Sequence, residues 1–173
     1  KNSIKKYTLQ LPKLLEGVEN KFDFKEPEII FKSFGDLNKD KIFYVIKRTP
    51  GTGLFSNVTF VVNHLRVCAK NNFIPIVDME NFKTIYNEKK KIKNTYNAWE
   101  YYFEKMNNHS LEEVYQSKNV LITSDNFFNF FVYNMELDNQ ISKLFKEQIK
   151  VKKLLFKSFE RISKNFNNQK ILG

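Results

Sequence analysis

Five apolar residues stand in a row at Ile42, Phe43, Tyr44, Val45 and Ile46, all β-branched or aromatic. Such a run suits a strand buried on both faces, as in a parallel sheet. Thr49-Pro50-Gly51-Thr52-Gly53 breaks it. Beyond the break, apolar residues recur at Leu54, Val58, Val61, Val62, Leu65 and Cys68, which is the spacing of one helix face. That helix is expected to end near Asn71 and Asn72. Phe73 to Met79, FIPIVDM, predicts a second short buried strand. Lys41 to Met79 therefore reads as strand, glycine turn, helix and strand, a βαβ unit of one right-handed crossover.

The flanking pattern is more mixed. Lys1 to Asp40 is a polar lead-in interrupted by Pro12 and Pro27, within which Glu28 to Asp36 suits either a short strand or an arm packed on the domain. Asn97 to Met106 predicts a helix. Ser110 with Glu113 three residues on forms a capping-box pattern, hence a short helix to Ser117. Asn119 to Ser124 predicts a third strand. One long helix is expected over Asp138 to Asn165. Its apolar face is Ile141, Phe145, Ile149, Leu155, Phe159, Ile162 and Phe166, with Lys143, Lys146, Lys150, Lys153, Lys157, Arg161 and Lys164 over much of the rest. Lys170 to Gly173, KILG, reads as the opening of another buried strand. The pattern predicts an α/β fold: an open parallel, Rossmann-like sheet with helices on both faces. The expected organisation is a lead-in over 1–40, a lobe over 41–170, and the start of a further lobe at 171–173.

Composition narrows the function classes. The 173 residues are 42% hydrophobic and include 18 Phe and 8 Tyr, enough for a core and against global disorder. The single cysteine, Cys68, excludes a disulfide framework and a cysteine-based zinc site. No apolar run approaches the roughly 20 residues that span a bilayer. Lys1 to Gln10 has no apolar signal-peptide region, so the expected compartment is cytoplasmic. The chain starts without Met and is expected to be a piece of a longer protein.

The net charge is 29 − 19 = +10. A polyanion partner would account for it, but Arg48, Arg66 and Arg161 are the only arginines. The abundance of Lys, Asn, Ile and Phe is the bias of an AT-rich coding sequence. With no arginine cluster, zinc finger or aromatic RNA-binding motif, nucleic acid is not an expected partner. The basic stripe of the long helix reads first as a solvated face and second as a nucleic-acid surface or a surface for peripheral membrane association.

The strongest local motif is Arg48 to Asn57, RTPGTGLFSN. In open α/β sheets, ligands bind at the carboxyl ends of the strands. Gly51 and Gly53 would let a ligand approach the backbone there, and the following helix N-terminus favours anions. No Gly-Lys-Ser/Thr follows, so this is not a phosphate-binding P-loop, and Ser56 stands where a dinucleotide fingerprint needs its third glycine. Asp78, ending the second strand, is either a cleft-facing proton acceptor or a partner of nearby backbone. His64 and His109 have no paired ligand spacing, so no metal site is expected. Cys68 lies on the apolar helix face, which leaves no case for a nucleophile. Phe82, Tyr86, Tyr96, Trp99, Tyr101, Tyr102 and Phe103 suit core packing first and a sugar-stacking platform second.

Gly53 to Leu65, GLFSNVTFVVNHL, resembles the first-helix motif of fucosyltransferases, above all the protein O-fucosyltransferase and α-1,6-fucosyltransferase group. In that motif a strand runs into a Gly-x-Phe-Gly-Asn-Gln-like turn at the interdomain cleft. Gly53, Phe55 and Asn57 match its glycine, Phe and Asn. Ser56 replaces the second glycine and Val58 the Gln, while Leu54 stands where the pattern can carry Arg. The stretch from Ile76 to Glu104 looks like bacterial members associated with surface-polysaccharide synthesis. KILG is similar to the strand that opens the family's second half and leads into a His-x-Arg-Gly-Thr-Asp-like motif whose Arg contacts the sugar nucleotide.

The resemblance spans Lys41 to Gly173. It implies the N-terminal, acceptor-side lobe of a GT-B-like glycosyltransferase that takes a GDP-sugar as donor and a glycan as acceptor, with no other cofactor. Catalytic residues are expected in the second lobe, and this piece alone is expected to be inactive. Together with the residue-level reading, the expected substrate-binding set is Gly51, Gly53, Phe55, Ser56, Asn57 and Asp78, with Asn57 either a site residue or a helix cap. The alternatives are a non-catalytic basic module for nucleic acid or another polyanion, and a related transferase with a different activated donor.

Overall fold

The computed structural model describes residues 29–48, 53–123 and 135–166. In chain order the elements are β1 (Ile29–Lys32), β2 (Phe43–Ile46), α1 (Leu54–Asn71), β3 (Ile74–Val77), α2 (Trp99–Tyr102), α3 (Leu111–Val114), β4 (Val120–Thr123), α4 (Met135–Gln148) and α5 (Lys153–Phe166). The strands form one sheet in the order β1-β4-β2-β3. β2 pairs in parallel with β3, Phe43 opposite Ile74, and with β4, Phe43 opposite Val120. β1 pairs antiparallel with β4, Ile29 opposite Thr123. The expected all-parallel sheet is therefore mixed. The reason is legible in burial: β2 and β4 are buried at every position, whereas β1 alternates between half-buried and exposed, the habit of an antiparallel edge strand.

The sheet is covered on both faces, as the unbroken apolar runs require. Tyr44, Ile46 and Leu121 pack with Val58, Val61, Leu65 and Cys68 of α1 on one face. Phe43, Val45, Val120 and Ile122 pack with Val114 of α3 on the other. α1 was expected to bury a single face. It instead buries Asn57, Asn63, His64 and Arg66 as well, and α4 lies against it. Asn72 ends α1 in the left-handed region at φ 55°, its N–H bonded to the Cys68 carbonyl.

The single long helix expected over Asp138 to Asn165 is two helices. Ile149 to Lys152 runs between α4 and α5 and pairs with the chain after α2. Glu104 N–H donates to the Lys150 carbonyl at 2.8 Å, and Lys152 N–H donates to Tyr102 at 2.9 Å. The apolar spacing hides the break, because Leu155 and Phe159 return to the helix side that carries Ile141 and Phe145. Ile149 is buried, and Val151 bridges Phe103. The helix expected over Asn97 to Met106 is confined to Trp99–Tyr102.

The chain from Glu80 to Ser110 closes the outer edge of β3. Ile74 and Asp78 bond β2 through their N–H groups, so alternation turns the Pro75 and Val77 carbonyls outward. Side-chain amides meet both: Asn107 donates to Pro75 at 2.6 Å and Asn97 to Val77 at 2.8 Å.

Candidate functional site

The strand order reverses about β2: its crossover leads to β3 on one side, and the chain returns to β4 on the other. The carboxyl ends of β2 and β4 therefore flank a topological switch point, the place where open α/β sheets take ligands. Thr123 closes the gap between these strand ends, its Oγ1 accepting from the Lys47 N–H at 3.1 Å. One residue further on, Arg48 bends toward α1. Its Nη2 donates to Ser56 Oγ at 3.2 Å, and its guanidinium lies 4.6 Å from the centre of the Phe60 ring. Burial lowers the Arg48 pKa from its usual value, and the guanidinium, as an arginine's, keeps its charge.

Arg48 in turn shapes what lies beneath it. His64, one turn beyond Phe60, meets that ring edge-on at 4.5 Å and shares a 2.9 Å hydrogen bond with the Tyr44 hydroxyl. Burial, and secondarily the charge of Arg48, lower the His64 pKa to about 3. The imidazole is neutral at physiological pH. Burial also pushes the Tyr44 hydroxyl and the Cys68 thiol well up, so neither ionises there. This layer props the site and carries no acid–base chemistry of its own.

The expected site residues fall into three groups. Gly53, Phe55 and Ser56 are together at the exposed start of α1. Gly53 is the N-cap, with ordinary backbone angles, and an added Cβ would meet nothing within 4 Å. The backbone there is open to approach. Phe55 is 82% exposed, an uncommon position for so large an apolar side chain. Asn57 lies below them, buried at the fourth helical position, its N–H bonded to the Gly53 carbonyl at 3.1 Å. It is therefore not the cap; Gly53 holds that place without any side-chain bond. Gly51 lies outside the described residues.

Asp78 is separate from these. It is fully buried at the end of β3, with Oδ1 accepting from the N–H groups of Glu80 and Asn81 at 3.0 and 2.9 Å. Oδ2 accepts from Asn81 Nδ2 at 2.9 Å and from the Tyr115 hydroxyl at 2.6 Å. Burial first, and then the Asp78 charge, push the Tyr115 pKa up, so its proton stays on the shared bond. Three donors from Glu80 and Asn81 hold the carboxylate in the turn after β3, and the fourth, Tyr115, ties it to the chain after α3.

Thr123 is the site residue that the sequence reading passed over; Arg48 opens the motif but stood outside the expected substrate-binding set. The available signal was positional: Arg48 closely follows the apolar run of Ile42 to Ile46, and Thr123 lies near the end of the strand expected over Asn119 to Ser124. A shallow concavity lies elsewhere, on the outer edge of β3, lined by Pro75, Val77, Asn97, Trp99, Asn107 and His109. Among the described residues no cluster of three or more His, Cys, Asp or Glu side chains forms a metal-binding group. Among them, too, no helix is long and apolar enough to cross a membrane. Comparison with protein families, with curated proteins and with solved structures finds no match for this chain.

Proposed function

We propose that this chain is the acceptor-side lobe of a GT-B-like, fucosyltransferase-like glycosyltransferase that moves a sugar from a GDP-sugar to a glycan, in surface-polysaccharide synthesis. The observation that carries the reading is the meeting of Arg48, Ser56 and exposed Phe55 at the start of α1, beside the switch point of the parallel strands. The first-turn N–H groups of α1 precede the first i→i−4 bond of the helix and favour an anionic or hydroxyl-rich ligand. Phe55 offers a face on which a sugar ring can stack. Transfer also needs a base for the acceptor hydroxyl and positive charge for the departing diphosphate. In this reading the second lobe supplies both, and this lobe holds the acceptor.

The test is Phe55→Ser in the full-length protein, assayed for transfer from GDP-fucose to a glycan acceptor. Because Phe55 is exposed, the melting temperature is expected to hold while the acceptor KM rises about tenfold or more. Unchanged KM and kcat in the folded variant would remove Phe55 from the site. Absence of transfer, with binding to a polyanion that falls steeply as salt rises, would replace the transferase by a binding module.

A further inference from the structure

We propose that α5 is an in-plane anchor that seats this protein on an anionic bilayer surface. The inference is independent of the transferase reading and rests on a different part of the molecule. Leu155, Phe156, Phe159 and Ile162 fall on one side of α5 at helical spacing. Phe156, Phe159 and Ile162 are each about half exposed or more, with Phe159 reaching 69%. A water-facing stripe of this kind on a helix is not the pattern of a folded interior, where the same spacing turns inward. Lys153, Lys157, Arg161 and Lys164 lie on the opposite side with a single acid, Glu160, for a helix charge of 4 − 1 = +3.

Size and charge select the occupant. A 14-residue helix is about 21 Å long, and one side of it offers far less than the roughly 800 Å² per partner of a stable protein interface. A bilayer sets no such threshold: bulky apolar side chains enter the boundary of the acyl chains while cations reach the headgroups. The near absence of acids favours anionic lipid over a neutral surface.

The experiment is co-sedimentation of the full chain with phosphatidylcholine vesicles and with vesicles carrying about a third phosphatidylglycerol. The expected result is pelleting with the anionic vesicles and much less with the neutral ones. The double variant Phe156→Ser/Phe159→Ser is expected to lower the partition coefficient about tenfold or more. Lys157→Gln/Arg161→Gln is expected to lower it about tenfold on anionic vesicles alone. All four side chains are exposed, so circular dichroism and melting temperature should match the unmodified chain. No pelleting with anionic vesicles, or equal pelleting of the Phe variant, overturns the proposal. Concentration-dependent dimerisation that the Phe variant abolishes, without lipid binding, assigns the face to a second copy and overturns it equally.

Discussion

Lowering the pH from about 7 to about 5 should destabilise this protein by about 2 kcal/mol through His64 alone. The imidazole has an ordinary pKa of 6.5 in the unfolded chain and about 3 in the fold, where burial and the neighbouring Arg48 disfavour its charge. Between those values the unfolded state takes a proton that the folded state refuses. The neutral ring therefore contributes its full stability above 6.5, and that contribution drains as pH falls toward 3. The slope approaches 1.4 kcal/mol per pH unit, so about 5 kcal/mol is at stake over the whole window, much of a small domain's total stability.

The assay is urea denaturation of the full chain across this pH range, read by the fluorescence of buried Trp99. Staying above about pH 5 keeps carboxylates out of the measurement; hydrogen bonds from Asn38 and His109 hold Glu113 below its usual 4.5. His64→Gln removes the titration and leaves His109 in place. Its overall stability should be lower but much flatter with pH. Curves for the two proteins that fall in parallel would refute the reasoning. Where His64→Gln fails to fold, NMR of the unmodified protein answers the same question, because a His64 ring resonance moving with a midpoint near 6.5 would contradict its buried neutral state.

Asn97→Ala removes bonds to Val77 and Met79 at once and should cost about 2–3 kcal/mol in denaturant unfolding, with a rise in aggregation. Tyr115→Phe leaves Asp78 one donor short and should cost about 1–3 kcal/mol, measured the same way. Ser110→Ala deletes the α3 cap bond to Glu113 N–H and should cost about 1 kcal/mol, read as a lowered melting temperature. Gly35→Ala would drive a methyl into the Gln116 carbonyl oxygen, which is backbone and yields poorly; a loss of about 1–3 kcal/mol is expected by thermal unfolding.

The elements whose identity rests on local pattern were legible in the chain. Ile42 to Ile46 is apolar at every position, and its last four residues became the fully buried β2. The α1 boundaries followed from its glycine start and asparagine stop. Pairing decisions were not legible. That β1 runs antiparallel beside β4 depends on which edge lies vacant, a property of the assembled sheet. The division of α4 from α5 was not legible either: the apolar stripe continues in helical phase past Ile149, and the four-residue break is favoured by backbone bonds to Glu104 and Tyr102. At the site, glycines and Phe55 announced a turn. The swing of Arg48 onto Phe60 and Ser56 is a tertiary event between residues 8 and 12 positions apart, and no motif encodes it.

The amide clamps on β3 give the sheet a sealed margin. A sheet edge is a template: its outward carbonyls and amides invite another backbone, including that of a second molecule. Here Pro75 withholds a donor, and Asn107 and Asn97 already occupy the outward carbonyls of Pro75 and Val77. A strand approaching from that side finds side chains in the register it would need, so hydrogen-bonded growth stops at β3. Two asparagines thus do on this side what a further strand would do elsewhere, at no cost in chain length. They also make the loop from Glu80 to Ser110 a guard against polymerisation, which places selection on residues far from any chemistry.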